Sequence, residues 1–371
     1  MPVSRLLAAR LLAPLDVRLD GDRPWDIRVR DPRALRKSLT GGSLGFGEAF
    51  VDGWWDCGDL EELIYRLVVA DLRGLAYMLP AVFLKRRLAA LVNLQTRPRS
   101  RRVAEQHYDY GNDFFAALLG RHPIYSCGYF REGDDLDAAQ LAKMDLICKK
   151  LDLRPGEHLL DVGGGWGELA RHAAATYGVR VTSINISEEQ MRIGRERCRG
   201  LDVEIVGCDY RDVRGTFDKV MAIAMFTHVG PHNYRGFMER MSRVLSPGGI
   251  FVMEGVWGNA TQTTGDPWVD RYIFPGAVIP SGAQTFAAVE RLFVVEDLHN
   301  FGPHYATTLR AWNANLQRAW PALSARYDER ARRTFEYYLL AMAALFRARA
   351  MQNWQLVLTH GARAQPPCRV S

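Results

Sequence analysis

The residues best suited to chemistry in this chain start with a glycine turn, Asp161-Val162-Gly163-Gly164-Gly165-Trp166-Gly167. Glycine permits a sharp turn and lets a ligand come close to the main chain. The spacing matches neither the phosphate loop GxxxxGK(S/T) nor a clean GxGxxG. A turn without lysine suits a zwitterionic ligand better than a triphosphate. Asp161 is the acid expected beside that ligand. Further on, Cys208-Asp209-Tyr210 offers an acid and an aromatic ring. The pair suits an adenine, and a plain loop accounts for the three residues equally well.

Such residues need a scaffold. His158–Val162 is a short apolar strand leading into the glycine turn, and a helix follows through Tyr177. Val179–Ile184, Val203–Val206, Lys219–Ala224 and Ile250–Val256 read as further strands. Glu188–Cys198 and Tyr234–Leu245 read as helices, and Pro247-Gly248-Gly249 as a turn. Strand alternating with helix predicts an α/β fold with a parallel sheet covered on both faces. In such a sheet ligands bind beyond the carboxyl ends of the strands, where the glycine turn falls.

At 371 residues, 48% hydrophobic and 24% charged, the chain is globular in composition. It is longer than one compact core usually supports, so a main domain plus a module is expected. The net charge of +6 admits nucleic acid, an acidic small molecule or an anionic membrane. The cysteines at 57, 127, 148, 198, 208 and 368 show no CxxC pair. Neither a disulfide framework nor a zinc site is expected, and reduced cytoplasmic thiols are the default. No secretory signal is expected, and no apolar run reaches the ~18 residues of a membrane span.

Several further motifs occur in order: His107-Tyr108-Asp109-Tyr110-Gly111-Asn112-Asp113-Phe114-Phe115, Tyr125-Ser126-Cys127-Gly128-Tyr129-Phe130, the glycine turn, Ser187-Glu188-Glu189-Gln190, Asp209-Tyr210-Arg211-Asp212 and Met225-Phe226-Thr227-His228-Val229-Gly230-Pro231. Outside the strand region come Gly42-Ser43-Leu44-Gly45-Phe46-Gly47-Glu48, Asp52-Gly53-Trp54-Trp55, Asp266-Pro267-Trp268, Tyr272-Ile273-Phe274-Pro275 and His299-Asn300-Phe301-Gly302 before Tyr305. Taken together, the chain resembles the cyclopropane-fatty-acyl-phospholipid synthase family nearly end to end. The resemblance implies a Rossmann-like class I methyltransferase with a seven-stranded, mostly parallel sheet. It also implies a small mixed or helical lipid-associated domain over 1–100 and a catalytic domain over 101–371, with a helical, aromatic insertion around 259–350. S-adenosylmethionine is the implied cofactor, and Tyr125, Ser126, Asp161, Gly163, Gly165, Asn185, Gln190, Asp209 and Tyr210 are the implied residues around it.

The implied reaction is one-carbon transfer to the cis double bond of an unsaturated phospholipid acyl chain. The olefin attacks the cofactor's methyl group, a carbocation forms, and loss of a proton closes a cyclopropane. The cation demands a dry pocket with aromatic faces, for which Tyr234, Trp268, Tyr272, Phe274 and Tyr305 are candidates. Core packing is the commoner use of any one aromatic. In the family the base is a bicarbonate ion held by Cys, Glu, His and Tyr. Cys127 and Tyr305 match, but Thr227 stands at the Glu position and Glu254 at the His position. Gly164 stands where Cys is usual, and Asn185 where Thr is common.

Thr227 and Glu254 follow strands that are neighbours in the usual order of this fold. The paired change suggests that the Glu254 carboxylate replaces bicarbonate, since a second anion beside it would be repelled. The bland reading has Glu254 solvated or paired with Arg271. An altered base site also allows a methylene or methyl-branched product, another lipid substrate, or a non-catalytic lipid-binding homologue. His228 fits packing or hydrogen bonding rather than metal ligation, as no second ligand spacing accompanies it.

Membrane contact has two candidate segments. Residues 77–102 combine Tyr77, Met78, Leu79, Val82, Phe83 and Leu84 with Lys85, Arg86, Arg87, Arg97, Arg99, Arg101 and Arg102. Basic residues near an anionic surface contribute about 1 kcal/mol each. Ser4–Leu15 sets Leu6, Leu7, Leu11 and Leu12 against Arg5 and Arg10, which suits an interfacial helix or an ordinary amphipathic one. Nucleic acid fits poorly, because no aromatic stacking platform accompanies the basic residues. Peripheral binding to the inner face of the membrane from the cytoplasm is expected, and the family tends toward homodimers.

Overall fold

The computed structural model describes residues 3–70, 93, 95, 96 and 110–370. The 77–102 segment, apart from Asn93, Gln95 and Thr96, lies outside the described residues, as does the His107-Tyr108-Asp109 opening of the first motif. The chain forms two compact units. One comprises Met1–Val92, Thr264–Pro275 and Ala306–Met351; the other comprises Asn93–Thr263, Gly276–Tyr305 and Gln352–Ser371.

The first unit holds helices α1 (Val3–Leu12) and α2 (Arg33–Val51) and an antiparallel pair, β1 (Arg28–Val29) with β2 (Trp55–Asp56). Helix α1 buries Ala8 and Leu12 but leaves Val3, Leu6 and Leu7 exposed at 82%, 48% and 47%. Those three share one helical face by their i, i+3, i+4 spacing. The Gly41–Gly47 stretch lies inside α2, which breaks its regular geometry at Gly42 with φ +56°. Glu329–Arg347 packs against α2 and against the Leu60–Val69 helix.

The second unit is built on a seven-stranded sheet ordered β5-β4-β3-β6-β7-β9-β8. Its strands are β3 (His158–Val162), β4 (Arg180–Asn185), β5 (Val203–Gly207), β6 (Phe217–Ile223), β7 (Leu245–Gly258), β8 (Val294–Asn300) and β9 (Met351–Thr359). β3 to β7 run parallel, and β8 pairs with β9 antiparallel. The chain order reverses at β3, between β4 and β6, so a crevice opens beyond their carboxyl ends. Pro247–Gly249 is not a separate turn. Leu245 already pairs with Phe217 and Ile250 with Lys219, so the glycines form an irregularity within one long strand.

Successive residues of β7 point to opposite faces. Phe251 and Met253 join Phe237 and Met241 of Tyr234–Val244 in one core. Ile250 and Val252 join Met144, Ile147 and Cys148 of α3 (Leu136–Lys150), with Leu169 and Ala173 of α4 (Glu168–Tyr177), in the other. Each such side chain, fully buried, contributes roughly 1.5–3 kcal/mol. Glu254 continues the Ile250–Val252 row and so faces the side that α3 covers.

Candidate active site

The glycine turn follows β3 as the sequence predicts. Gly163, Gly165 and Gly167 have φ of +84°, +55° and +76°, a region costly for any residue with a Cβ. Gly164 has an ordinary φ but no room. A Cβ there would stand 1.9 Å from Ser183 Oγ and 2.4 Å from Asp161 Oδ2. Ser183, on the neighbouring strand β4, donates to Asp161 Oδ2 at 2.9 Å. Burial pushes the Asp161 carboxyl up to about 7, with the Ser183 bond opposing.

Asn185, at the end of β4, ties this region together. Its Nδ2 donates to Gly165 O at 3.1 Å and to Gln190 Oε1 at 2.9 Å. Its Oδ1 accepts from the N–H groups of Ile186 and Ser187 at 2.7 and 3.1 Å. These bonds fix the turn against the first residues of α5 (Glu188–Arg197). Behind the turn Glu168 is almost wholly buried, yet Arg171, His122 and Arg197 overcome that burial and pull its carboxyl down to about 2. The His122 bond, at 2.9 Å, anchors the segment that runs on to Tyr125, Ser126 and Cys127.

Asp209 and Tyr210 follow β5. Tyr210 is buried, edge-on to Phe237 at 5.1 Å, within the sheet core. Asp209 caps its own short turn by accepting from Arg211 N–H, and its other oxygen pairs with the Arg211 guanidinium at 2.9 Å. Among the candidate cation-facing aromatics, Tyr234 is also a core residue. It stacks on Phe226 and donates to Val278 O. Trp268, Tyr272 and Phe274 belong to the first unit and Tyr305 to the second.

The proposed base centre lies on the α3 side of the sheet. Glu254 is fully buried and stands opposite Ile223, the last residue of β6. Its Oε2 accepts from Gln355 Nε2 of β9 at 2.7 Å. Its Oε1 makes no hydrogen bond of ordinary geometry among the described residues, although the Asn353 side chain stands close enough to lower the carboxyl's pKa. Arg271 bonds Glu48 at 3.1 Å within the first unit. Glu254 exposes no surface to bulk solvent. Burial raises the Glu254 carboxyl, and Lys143, Gln355, Lys150 and Asn353 oppose that rise.

Lys143 brings the candidate residues together. It is buried on α3, its Nζ donates to Ser126 Oγ at 2.6 Å, and its charge is felt by both Glu254 and Cys127. Cys127 is also buried, its thiol donating to Gly128 O at 3.2 Å. Across the ladder, Ala224 N–H donates to Glu254 O at 2.8 Å with the Ala224 backbone at φ +56°. That left-handed residue turns the chain from β6 into the short Phe226–His228 helix carrying Thr227. A non-glycine residue in this conformation stores strain, a feature often found at functional sites. Tyr305 is buried in the first turn of Gly302–Leu323, just beyond Phe301, whose N–H donates to Asn353 O at 3.0 Å.

His228 is held neutral, because burial pushes its pKa down to about 4. Among the described residues no group of His, Cys, Asp and Glu is placed to hold a metal ion. Sequence reading missed Lys143, Gln140 and Gln355. The available signal was their position. Gln140 and Lys143 fall in the buried i, i+3, i+4 stripe of α3 with Ala139, Met144 and Ile147, and Gln355 interrupts an apolar strand.

The comparisons with known proteins agree with this fold. The family described as mycolic acid cyclopropane synthetase matches residues 95–356. The chain is 43% identical over 358 residues to the cyclopropane-fatty-acyl-phospholipid synthase of Escherichia coli K12, covering 96% of this chain and 93% of that one. It is 32% identical to the tuberculostearic acid methyltransferase UfaA1 of Mycobacterium tuberculosis, over 91% of this chain and 83% of that one. The mycolic acid cyclopropane synthase CmaA1, solved with SAH and CTAB, superposes with a TM-score of 0.65 at 28% identity, over 70% of this chain and 97% of that one. The fold is that of the class I, Rossmann-like methyltransferases, and the chain belongs to the mycolic acid cyclopropane synthetase family of S-adenosylmethionine-dependent enzymes.

Proposed function

We propose that this enzyme transfers a methylene unit to the cis double bond of unsaturated phospholipid acyl chains, forming cyclopropanes, with Glu254 as the base. The substrate class is carried by the near-full-length likeness to a phospholipid synthase. The assignment of the base is carried by a buried carboxylate with one open oxygen at the carboxyl end of the β6–β7 ladder.

The residues fit a tightly held cofactor. The Gly164 position admits no side chain beside Ser183, and the three left-handed glycines set a close backbone turn. When bound, S-adenosylmethionine supplies an electrophilic methyl group. The π pair of the olefin would form the new C–C bond to that methyl as the S–CH3 bond breaks with its pair going to sulfur and S-adenosylhomocysteine leaving, so that a cation is left on the other olefinic carbon. Glu254 Oε1 then takes a proton from the new methyl, and the freed C–H pair closes the ring. Burial raises the carboxyl's pKa, and a carboxylate of raised pKa is a stronger base for this step. The buried surroundings also exclude water, which would trap the cation as an alcohol. A bicarbonate ion fits poorly beside a carboxylate already in place.

Unit one supplies the membrane contact in this reading. The exposed Val3, Leu6 and Leu7 face of α1, with Arg10 beside it, matches a helix lying on a lipid surface. Among the described residues no helix is long and apolar enough to cross a membrane. The enzyme would act on the inner face of the membrane as a peripheral protein.

The test incubates the protein with S-adenosylmethionine and monounsaturated phospholipid vesicles, then identifies the acyl chains by mass spectrometry against cyclopropane, methylene and methyl-branched standards. Cyclopropane chains are expected. Methyl-branched chains would support the second reading, which the likeness to a tuberculostearic acid methyltransferase favours. No one-carbon product at all would refute both. In a companion arm, Leu6→Glu with Leu7→Glu is expected to lower turnover on anionic vesicles and to leave turnover on detergent-dispersed lipid unchanged. Equal loss on both would remove α1 from membrane contact.

A further inference from the structure

We infer that Gln355 is the positioning residue that aims Glu254 and so decides which proton the reaction removes; this deepens the reading of Glu254 as base and rests on it. A glutamate side chain turns about three bonds, and the last of these is only weakly restricted. Its chain packing alone therefore does not fix where the two oxygens point. Gln355 supplies the fixed point, its Nε2 donating to Glu254 Oε2 at 2.7 Å. A hydrogen bond to an ionised oxygen is about twice as strong as one between neutral groups. With Oε2 held toward β9, Oε1 is the oxygen left without a hydrogen bond of ordinary geometry among the described residues.

The donor is itself firmly placed. β9 lies between β7 and β8 in the sheet. Gln355 pairs with His299 of β8, with Trp354 opposite Asn300 and Leu356 opposite Leu298 to either side. Leu356 and Leu358 enter the core on one face of the sheet, and Val357 joins the core on the α3 face. Alternation sets Gln355 on the same face as Val357, the face that Glu254 occupies. Gln355 is fully buried, and its own Oε1 finds no hydrogen-bond partner among the described residues. A buried acceptor left unpaired is destabilising, and a leucine would fill this place without that cost. A polar residue that breaks the local apolar pattern points to a role outside packing. Glutamine also suits the role by being neutral. An ammonium or guanidinium here would stabilise the carboxylate and blunt it as a base, whereas an amide orients the oxygen and adds no charge.

The chemistry gives this aim its consequence. In the cation two kinds of C–H bond can break. Loss of a proton from the new methyl to Glu254 Oε1 frees the C–H pair that closes the ring. Loss of a proton from the chain carbon next to the cation to the same carboxylate frees a pair that forms a C=C bond. That product is a methyl-branched olefin of the same mass. A carboxylate held toward the methyl selects the ring.

The test uses the full chain with S-adenosylmethionine and monounsaturated phospholipid vesicles, the acyl products being separated by chromatography against cyclopropane and methyl-branched standards. Gln355→Leu removes the donor at similar volume. It is expected to lower kcat roughly ten- to hundredfold, the range for a hydrogen bond to a charged group, with KM and S-adenosylhomocysteine affinity unchanged. The ratio of methyl-branched olefin to cyclopropane is expected to rise at least about tenfold, as the two competing barriers shift against each other. Gln355→Asn keeps the amide but is one methylene too short to reach Oε2. It should behave as Gln355→Leu does, and it carries the test if Gln355→Leu does not fold. An unchanged kcat, or a lower kcat with the product ratio unchanged, would overturn the inference. Glu254→Gln separates that failure from failure of the base assignment. Gln355→Leu behaving as the unaltered protein while Glu254→Gln is inactive would overturn the aiming role alone. Full rate in Glu254→Gln would overturn the base and the aiming role together.

Discussion

Glu254→Gln is expected to lower cyclopropane formation by roughly 10²–10⁴-fold, the usual contribution of a positioned general base, with cofactor affinity preserved. The amide keeps the shape of the carboxylate and still offers an oxygen to Gln355, so the site should fold. What it lacks is a basic oxygen at the atom that the structure leaves open. The pH profile sharpens the prediction. Burial raises the Glu254 carboxyl above its ordinary range, and the active form of a base is the deprotonated one. Turnover in the unaltered enzyme should therefore climb with pH through that raised value. The limb should vanish in whatever activity Glu254→Gln retains. A variant with full rate, or one that keeps the acid limb, would place the base elsewhere.

Gly164→Ala is expected to weaken cofactor binding by about 10- to 100-fold, or about 1.4 to 2.8 kcal/mol. The new Cβ would meet Ser183 Oγ at 1.9 Å and Asp161 Oδ2 at 2.4 Å, far inside contact distance. Either the turn or the Ser183–Asp161 bond must yield. Adding Ser183→Gly should recover most of the loss, because it removes the nearer obstacle and frees Asp161 to shift. Titration calorimetry with S-adenosylhomocysteine measures both variants. Normal binding by Gly164→Ala, or no recovery in the double variant, would show that Ser183 does not fill this space. The same contact explains why glycine suits position 164. A hydroxyl from the neighbouring strand occupies the room a side chain would need.

Much of this was legible in the sequence. The strands announce themselves as short apolar runs, and β3 occupies His158–Val162 as predicted. The glycine turn, Asn185 and Gln190 converge as the motif order implies. Other features depended on packing between distant segments. Pro247–Gly249 looks like a turn, but Leu245 finds a partner in Phe217 and draws the segment into β7. That Tyr210 packs edge-on to Phe237 was not legible in the sequence. The Arg271–Glu48 pair joins residues far apart in the chain and was not legible either. Lys143 and Gln355 were passed over because a polar residue in an apolar pattern reads as solvated. Only the folded protein shows Lys143 donating to Ser126 and Gln355 to a buried acid.

The central claim is that the base of this enzyme is its own Glu254 and not a bound ion. The most direct measurement is turnover of monounsaturated phospholipid vesicles in degassed, bicarbonate-free buffer against the same buffer with bicarbonate restored. Equal rates of cyclopropane formation in the two, both lost in Glu254→Gln, are the predicted result. A rate that collapses without bicarbonate and returns when it is added would contradict the account.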